Sequence, residues 1–170
     1  MARMTEPSAP PLDLWADGDV PWRPVSPRLA PVRRLVTHLS LAPFVLAGIV
    51  VTVLWWRWAA IPTIALLVLW AWSIWFIGRQ VSAISYAELP DELAIRRGRM
   101  WRRLVTVPYG RIQYVDVQSG PLLRRAGLAE IEIHTANPSS SGGVPGLPED
   151  EAHRLRERLS ALGESRRAGL

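Results

Sequence analysis

Residues Val36 to Ile77 read VTHLSLAPFVLAGIVVTVLWWRWAAIPTIALLVLWAWSIWFI and contain a single formal charge, Arg57. On each side of that arginine lies an uncharged apolar run long enough to cross a lipid bilayer. Val36 to Trp56 is 21 residues, about 31 Å as a helix at about 1.5 Å per residue, against a hydrocarbon core roughly 30 Å thick. Ala59 to Ile77 supplies 19 more. Lipid offers the backbone no hydrogen-bond partners, so both runs must be helical. The short Trp-Trp-Arg-Trp connection makes them an antiparallel hairpin. The alternative, two buried helices of a soluble bundle, fails on size, because a remainder of about 90 residues cannot sheathe two helices that are apolar all round.

The flanks of the hairpin are rich in arginine. Arg23, Arg28, Arg33 and Arg34 precede it, and Arg79, Arg96, Arg97 and Arg99 follow, whereas the connection holds only Arg57. The positive-inside rule then puts both termini in the cytoplasm and makes the chain a multi-pass protein of the inner (plasma) membrane. All 20 basic residues are arginine, and the net charge is +5. Flanks of this kind account for that charge without a nucleic-acid partner. Cysteine is absent, which excludes disulfides, thiolate metal sites and cysteine nucleophiles. The first 34 residues have neither an apolar core nor a small-residue cleavage site, so no removable signal is expected.

Residues 1–34 are Pro-rich and read as a disordered N-terminus ending in a short interfacial segment from Trp22 to Arg34. The hairpin occupies 35–79, with Pro43 inside its first helix and Gly48 and Thr52 forming a small-xxx-small pair. After Arg79 the hydrophobic period falls toward two. Strands are expected over Ser82–Leu89, Glu92–Arg97, Met100–Val107, Arg111–Ser119 and Ala129–Thr135, with Gly98 as a hairpin turn and a bulge at Ile112. Asn137–Gly143 reads as a loop and Val144–Leu147 as a short strand. Pro148 then opens a helix whose first turn is acidic, with Ala152, Leu155, Leu159 and Leu162 in one stripe and Gly163 as its stop. The fold class is α+β, with one small domain over 80–163 and a disordered tail over 164–170. Successive antiparallel strands closed by one amphipathic helix are the plan of a pleckstrin-homology-like (PH-like) β-sandwich or barrel.

The residues resemble a known family. Tyr86-Ala87-Glu88-Leu89, Arg97-Gly98, Trp101-Arg102-Arg103, Thr106-Val107-Pro108-Tyr109, Gly120-Pro121-Leu122 and Pro145-Gly146-Leu147, in this order and spacing, are similar to YdbS-like bacterial PH-domain membrane proteins. The resemblance runs from about Trp22 to Leu162. It implies a two-helix hairpin ahead of one PH-like domain, and a module that acts by binding or scaffolding in a membrane complex. It further implies a larger PH-domain relative as partner and a link to envelope integrity or stress resistance. It transfers no catalytic residue.

The residues themselves offer one charged feature of note. Arg96, Arg97, Arg99, Arg102 and Arg103 surround the Gly98 turn, a density suited to docking on anionic lipid or on an acidic partner. The sequence fits three roles: scaffold, accessory subunit of a membrane transporter or enzyme, and anionic-lipid sensor. The loop Pro90-Asp91-Glu92 is acidic, which argues against an inositol-phosphate pocket there. Trp22, Trp55, Trp56, Trp58 and Trp75 are expected as interface anchors. Glu130 and Glu132 share a strand face, and His134 and His153 lie on different elements. None of these forms a catalytic set, a metal site or a cofactor site. Membrane lipid and a second membrane protein are the expected partners, a homo-oligomer is compatible with the sequence, and nucleic acid is not expected.

Overall fold

The computed structural model describes residues 20–54, 56–98, 101–136 and 142–168. Two long apolar helices, α1 (Leu29–Leu54) and α2 (Ala60–Val81), are joined by a short 3-10 turn over Arg57–Ala59. They pack on each other as an antiparallel pair, yet only about 6% of each apolar window is buried within the molecule. Leu39, Phe44, Val53, Leu69 and Trp72 are among the many apolar side chains left exposed. A water-facing surface of that kind is untenable, and a hydrocarbon solvent satisfies it. The two helices meet at small residues. A Cβ on Gly48 would lie 2.7 Å from Thr63 Oγ1, and the Thr52 and Thr63 hydroxyls are 3.5 Å apart.

The remainder is a sandwich of two antiparallel sheets. In the first, β1 (Arg23–Pro24), β2 (Ser85–Glu88), β3 (Glu92–Arg97) and β4 (Arg103–Pro108) lie in that order. The second is β5 (Ile112–Gln118), β6 (Leu128–Thr135) and β7 (Gly142–Pro148). A five-residue helix, α3 (Pro121–Arg125), links β5 to β6, and α4 (Glu149–Ala168) closes the domain. The two sheets do not join, so of the expected alternatives the sandwich is observed and a closed barrel is not. β4 and β5 are separated by a 3-10 turn over Tyr109–Arg111 and do not pair.

Alternation dictates which faces meet. Leu93, Ile95 and Val107 of the first sheet and Ile131, Ile133 and Val144 of the second are each at most 1% exposed. α4 lays Ala152, Leu155 and Leu159 across β5 and β6, and all three are fully buried. The anticipated bulge is present as a register shift between Ile112 and Tyr114. Gly98 turns the β3–β4 hairpin at φ +85°.

Several boundaries differ from the sequence reading. Helix α1 begins at Leu29 and absorbs half of the expected interfacial segment, because Pro31 falls in a first turn where no amide hydrogen is needed. Helix α2 runs to Val81, so β2 starts at Ser85 rather than Ser82. β4 starts at Arg103 and β7 takes in Gly142 and Gly143, which the sequence reading assigned to a loop. Gly163 does not stop α4, and the expected tail is helical as far as Ala168. A Cβ on Gly163 would sit 3.5 Å from the Tyr109 carbonyl and 3.8 Å from Ile112 Cβ, ordinary van der Waals contact, so the helix packs on the 3-10 turn at this point instead of ending. Residues 1–19, expected to be disordered, and most of the 137–143 loop lie outside the described residues, as do Trp55, Arg99 and Met100.

The sheet domain also begins earlier than expected. Arg23 pairs with Tyr86 and Pro24 with Ser85, so a strand that precedes the helical pair is completed by one that follows it. Val25 N–H donates to the Ile84 carbonyl and Ser26 N–H to the Gly146 carbonyl, which brings Leu29 against Gly146. An ion cluster fixes the same segment to α4. Glu88, whose side chain is 9% exposed, lies 2.7 Å from Arg154, 3.0 Å from Arg158 and 3.6 Å from Arg23. Glu151 accepts from Arg154 at 2.6 Å and from the Tyr86 hydroxyl at 2.7 Å, and Arg23 reaches it at 3.2 Å.

The Arg154 hydrogen bond and the Tyr86 hydroxyl hold the Glu151 carboxyl down from 4.5 to about 2, against the opposing effect of burial. A carboxyl whose pKa is depressed by folding contributes stability above its unfolded value and loses it as the pH falls toward the folded one. Glu151→Gln is therefore expected to destabilise the chain by about 1–2 kcal/mol at neutral pH, a figure discounted for the solvent exposure of the cluster. The gap to the parent chain closes between pH 4.5 and about 2. Urea unfolding of the detergent-solubilised chain, followed by circular dichroism across that window, measures it. A gap that is constant with pH refutes the assignment.

Candidate docking face

The five arginines singled out from the sequence do not form one uniform patch. Register decides where they lie. Ser85 pairs with Arg96, so β3 runs back past the start of β2, and the Gly98 turn lies at the end of the domain where α2 hands over to the sheet. Arg97 pairs directly with Arg103 on the sheet face that carries Ile95 and Val105. Arg96 is on the opposite face, where it donates to Ser85 Oγ at 3.2 Å and stacks its guanidinium 4.6 Å above the Trp22 ring. Arg102 is exposed beside Trp101, which is 84% exposed, and Arg99 lies outside the described residues.

Arg97 is half-buried and donates through Nη2 to the Gly143 carbonyl. Burial pushes its guanidinium below the ordinary arginine value. Arg33 and Arg103 act in the same direction and Glu130 against it. The hairpin tip is thus built from an arginine locked to the second sheet, an arginine laid on a tryptophan, and an exposed Trp-Arg-Arg run. Like charges directly opposite on paired strands repel, so the Arg97–Arg103 pair is a local electrostatic cost.

Of the expected interface tryptophans, Trp56 and Trp58 are exposed at the turn between the helices and Trp75 is exposed on α2 with Arg79 at 4.8 Å from its ring. Trp22 is instead half-buried beneath Arg96, on a sheet face where Ala87 and Ala94 are fully buried. Within the helical pair, His38 meets Trp70 edge-on at 5.3 Å, and Arg34 reaches Gly78.

Sequence reasoning missed a groove of about 470 Å³ between the two sheets, lined among others by Arg97, Arg103, Gln118, Glu130, Glu132 and Gly143. The alternation of Glu130 and Glu132 was its one visible signal. Placing Gly142 and Gly143 in a loop concealed that they form its floor. Next to the groove, Asp116 is paired with Glu132, and the Gln118 amide donates to both at 3.2 and 3.1 Å. Tyr114 and His134 stack at 4.3 Å on the same face. Among the described residues no group of three or more metal-ligating side chains occurs.

Comparison with known proteins agrees with this architecture. A family profile described as Bacterial PH domain matches residues 30–163. The UPF0699 transmembrane protein YdbS of Bacillus subtilis (strain 168) is 32% identical over 100 residues, a stretch covering 53% of this chain and 62% of that protein. No solved structure matches significantly. A profile that takes in the helical pair, every strand from β2 to β7 and most of α4, beside a relative named for its membrane spans, makes this chain a membrane protein of the bacterial PH domain family.

Proposed function

We propose that the chain is a multi-pass protein of the inner (plasma) membrane, with both termini cytoplasmic. Its PH-like domain is a non-catalytic binding and scaffolding module within a membrane complex concerned with the integrity of the envelope. The observation that carries this reading is the pairing of Arg23–Pro24 with Ser85–Tyr86. Strands on either side of a two-helix crossing can pair only if both flanks lie on the same side of the bilayer, and the flanking arginines favour the cytoplasmic side. The register that puts the Gly98 turn at the end of the domain where α2 hands over to the sheet supports docking of its arginines on the bilayer, each contributing on the order of 1 kcal/mol near anionic headgroups. The remaining faces of the domain are then free for a second membrane protein, a larger PH-domain relative being the partner that the family suggests.

The absence of cysteine gives a direct test, because Trp101→Cys introduces a unique label site. A membrane-impermeant maleimide is expected to leave this site untouched in intact spheroplasts and to label it in inverted vesicles. In bilayers reconstituted with anionic lipid, labelling should slow about tenfold relative to neutral lipid, and added salt should restore it. Labelling from outside refutes the orientation. A rate indifferent to lipid charge refutes the docking of the hairpin.

A further inference from the structure

We propose that the groove between the two sheets is a headgroup site for a zwitterionic aminophospholipid, with the phosphate on Arg97 and Arg103 and the ammonium on Glu130 and Glu132. The inference rests on the domain lying against the bilayer as described above, and it names what that face takes up. Four observations carry it.

The lining carries both signs of charge, with arginines from the first sheet and glutamates from β6 on either side of Gly143. A Cβ built on Gly143 would be 3.8 Å from Arg97 Nη2 and 3.9 Å from Glu130 Oε1, so the guanidinium and the carboxylate are less than about 8 Å apart. Among the described residues no ion pair crosses from one wall to the other. Each wall, moreover, crowds its own charge. Arg97 is paired with Arg103, like charges that repel, and Glu132 with Asp116, a pair bridged by the Gln118 amide and with His134 Nε2 at 3.8 Å from Glu132, which leaves Glu130 the acidic side chain nearest Arg97.

The third observation is the floor itself. A Cβ on Gly142 would come within 3.0 Å of Ile95 Cδ1, and one on Gly143 within 2.9 Å of the Ile131 carbonyl. Any side chain at either position would fill or distort the groove. The fourth is location. Arg97 and Arg103 are the last paired residues before the hairpin tip, at the end of the sheet from which α2 departs, and Arg33 of α1 is near enough for its charge to act on Arg97. A simple anion is opposed by Glu130 and Glu132, and a simple cation by the arginines. A compact group bearing a phosphate and a primary amine satisfies both walls, and a bilayer presents it at this depth.

The test uses the full chain in a non-ionic detergent, titrated by calorimetry with short-chain phosphatidylethanolamine, phosphatidylglycerol and phosphatidylcholine, and with free O-phosphoethanolamine. The ethanolamine lipid is expected to saturate and to bind about tenfold more tightly than either other lipid, the size of effect that one charge-assisted hydrogen bond supplies. Arg103→Gln and Glu132→Gln change exposed side chains. Each should weaken the ethanolamine lipid about tenfold and erase the preference, with thermal unfolding monitored to show that the fold is intact. Equal binding of the glycerol and ethanolamine lipids overturns the proposal, as does binding that Glu132→Gln leaves unchanged or strengthens. Free phosphoethanolamine binding as tightly as the lipid overturns the assignment to a membrane ligand. No binding to any of the four also overturns it, and maleimide labelling of the Trp101→Cys variant reports the membrane-facing orientation separately.

Discussion

Leu155→Ala is expected to lower the unfolding free energy of the sheet domain by about 2–5 kcal/mol, much of what a domain of this size possesses. Leu155 is fully buried in the middle of the α4 stripe, between Ala152 and Leu159, and α4 is the element that covers β5 and β6. Removing its branched end leaves a cavity under a helix held at both ends, by the Glu151 and Arg154 contacts to β2 and by the Arg166 contact to Asp91. Collapse into the space is therefore limited, and the destabilisation should fall in the upper part of that range. Urea unfolding in detergent should show the domain transition moving while the helical signal of the membrane pair persists. Leu155→Met, nearly equal in volume, should cost under about 1.5 kcal/mol. An effect below about 1 kcal/mol for the alanine variant would mean that α4 is not seated as described.

Gly146→Val is expected to cost about 3–4 kcal/mol, combining about 1–2 for a left-handed backbone and about 2 for displacing a buried leucine. Gly146 is at φ +68°, and a Cβ there would fall 2.7 to 3.0 Å from three atoms of the Leu29 side chain, itself 3% exposed. The damage is specific to the joint between α1 and the domain. Trypsin should cut faster at Arg28, and amide exchange at Ser26, whose N–H donates to Gly146, should accelerate. Leu29→Ala in the same chain should recover part of the stability, because it removes Cδ2 and Cγ from the collision but leaves the Leu29 Cβ at 2.9 Å and the backbone strain. Simple additivity of the two substitutions would refute the contact.

The helical pair was legible because hydrocarbon imposes a length and a composition that few residues can disguise. The strands were legible where large apolar residues alternate with small or charged ones, as in Glu92–Arg97, whose bounds agree with the structure, and as in the out-of-phase Ile112. Legibility failed where a residue's role depends on a distant partner. Arg23–Pro24 reads as an unremarkable dipeptide, and only β2, far along the chain, makes it a strand. Gly163 looks like a helix stop because glycine commonly is one, yet α4 continues through it to Ala168, held against the Tyr109–Arg111 turn by packing that lies far along the chain. The arginine cluster was found by density. Its division between two sheet faces followed from cross-strand register, which local spacing does not encode, and the acidic wall opposite it required the strand and the groove to be assembled together.

The split sheet has a consequence for how the chain is made. Arg23 and Pro24 leave the ribosome well before Ser85 and Tyr86, and the two hydrophobic segments must be handed to the insertion machinery in the interval. The edge strand waits, unmated, until both have been threaded. A polypeptide in which only one segment has entered lipid has β1 and β2 on opposite sides of a barrier, so the pairing of Arg23–Pro24 with Ser85–Tyr86 forms only after both have crossed.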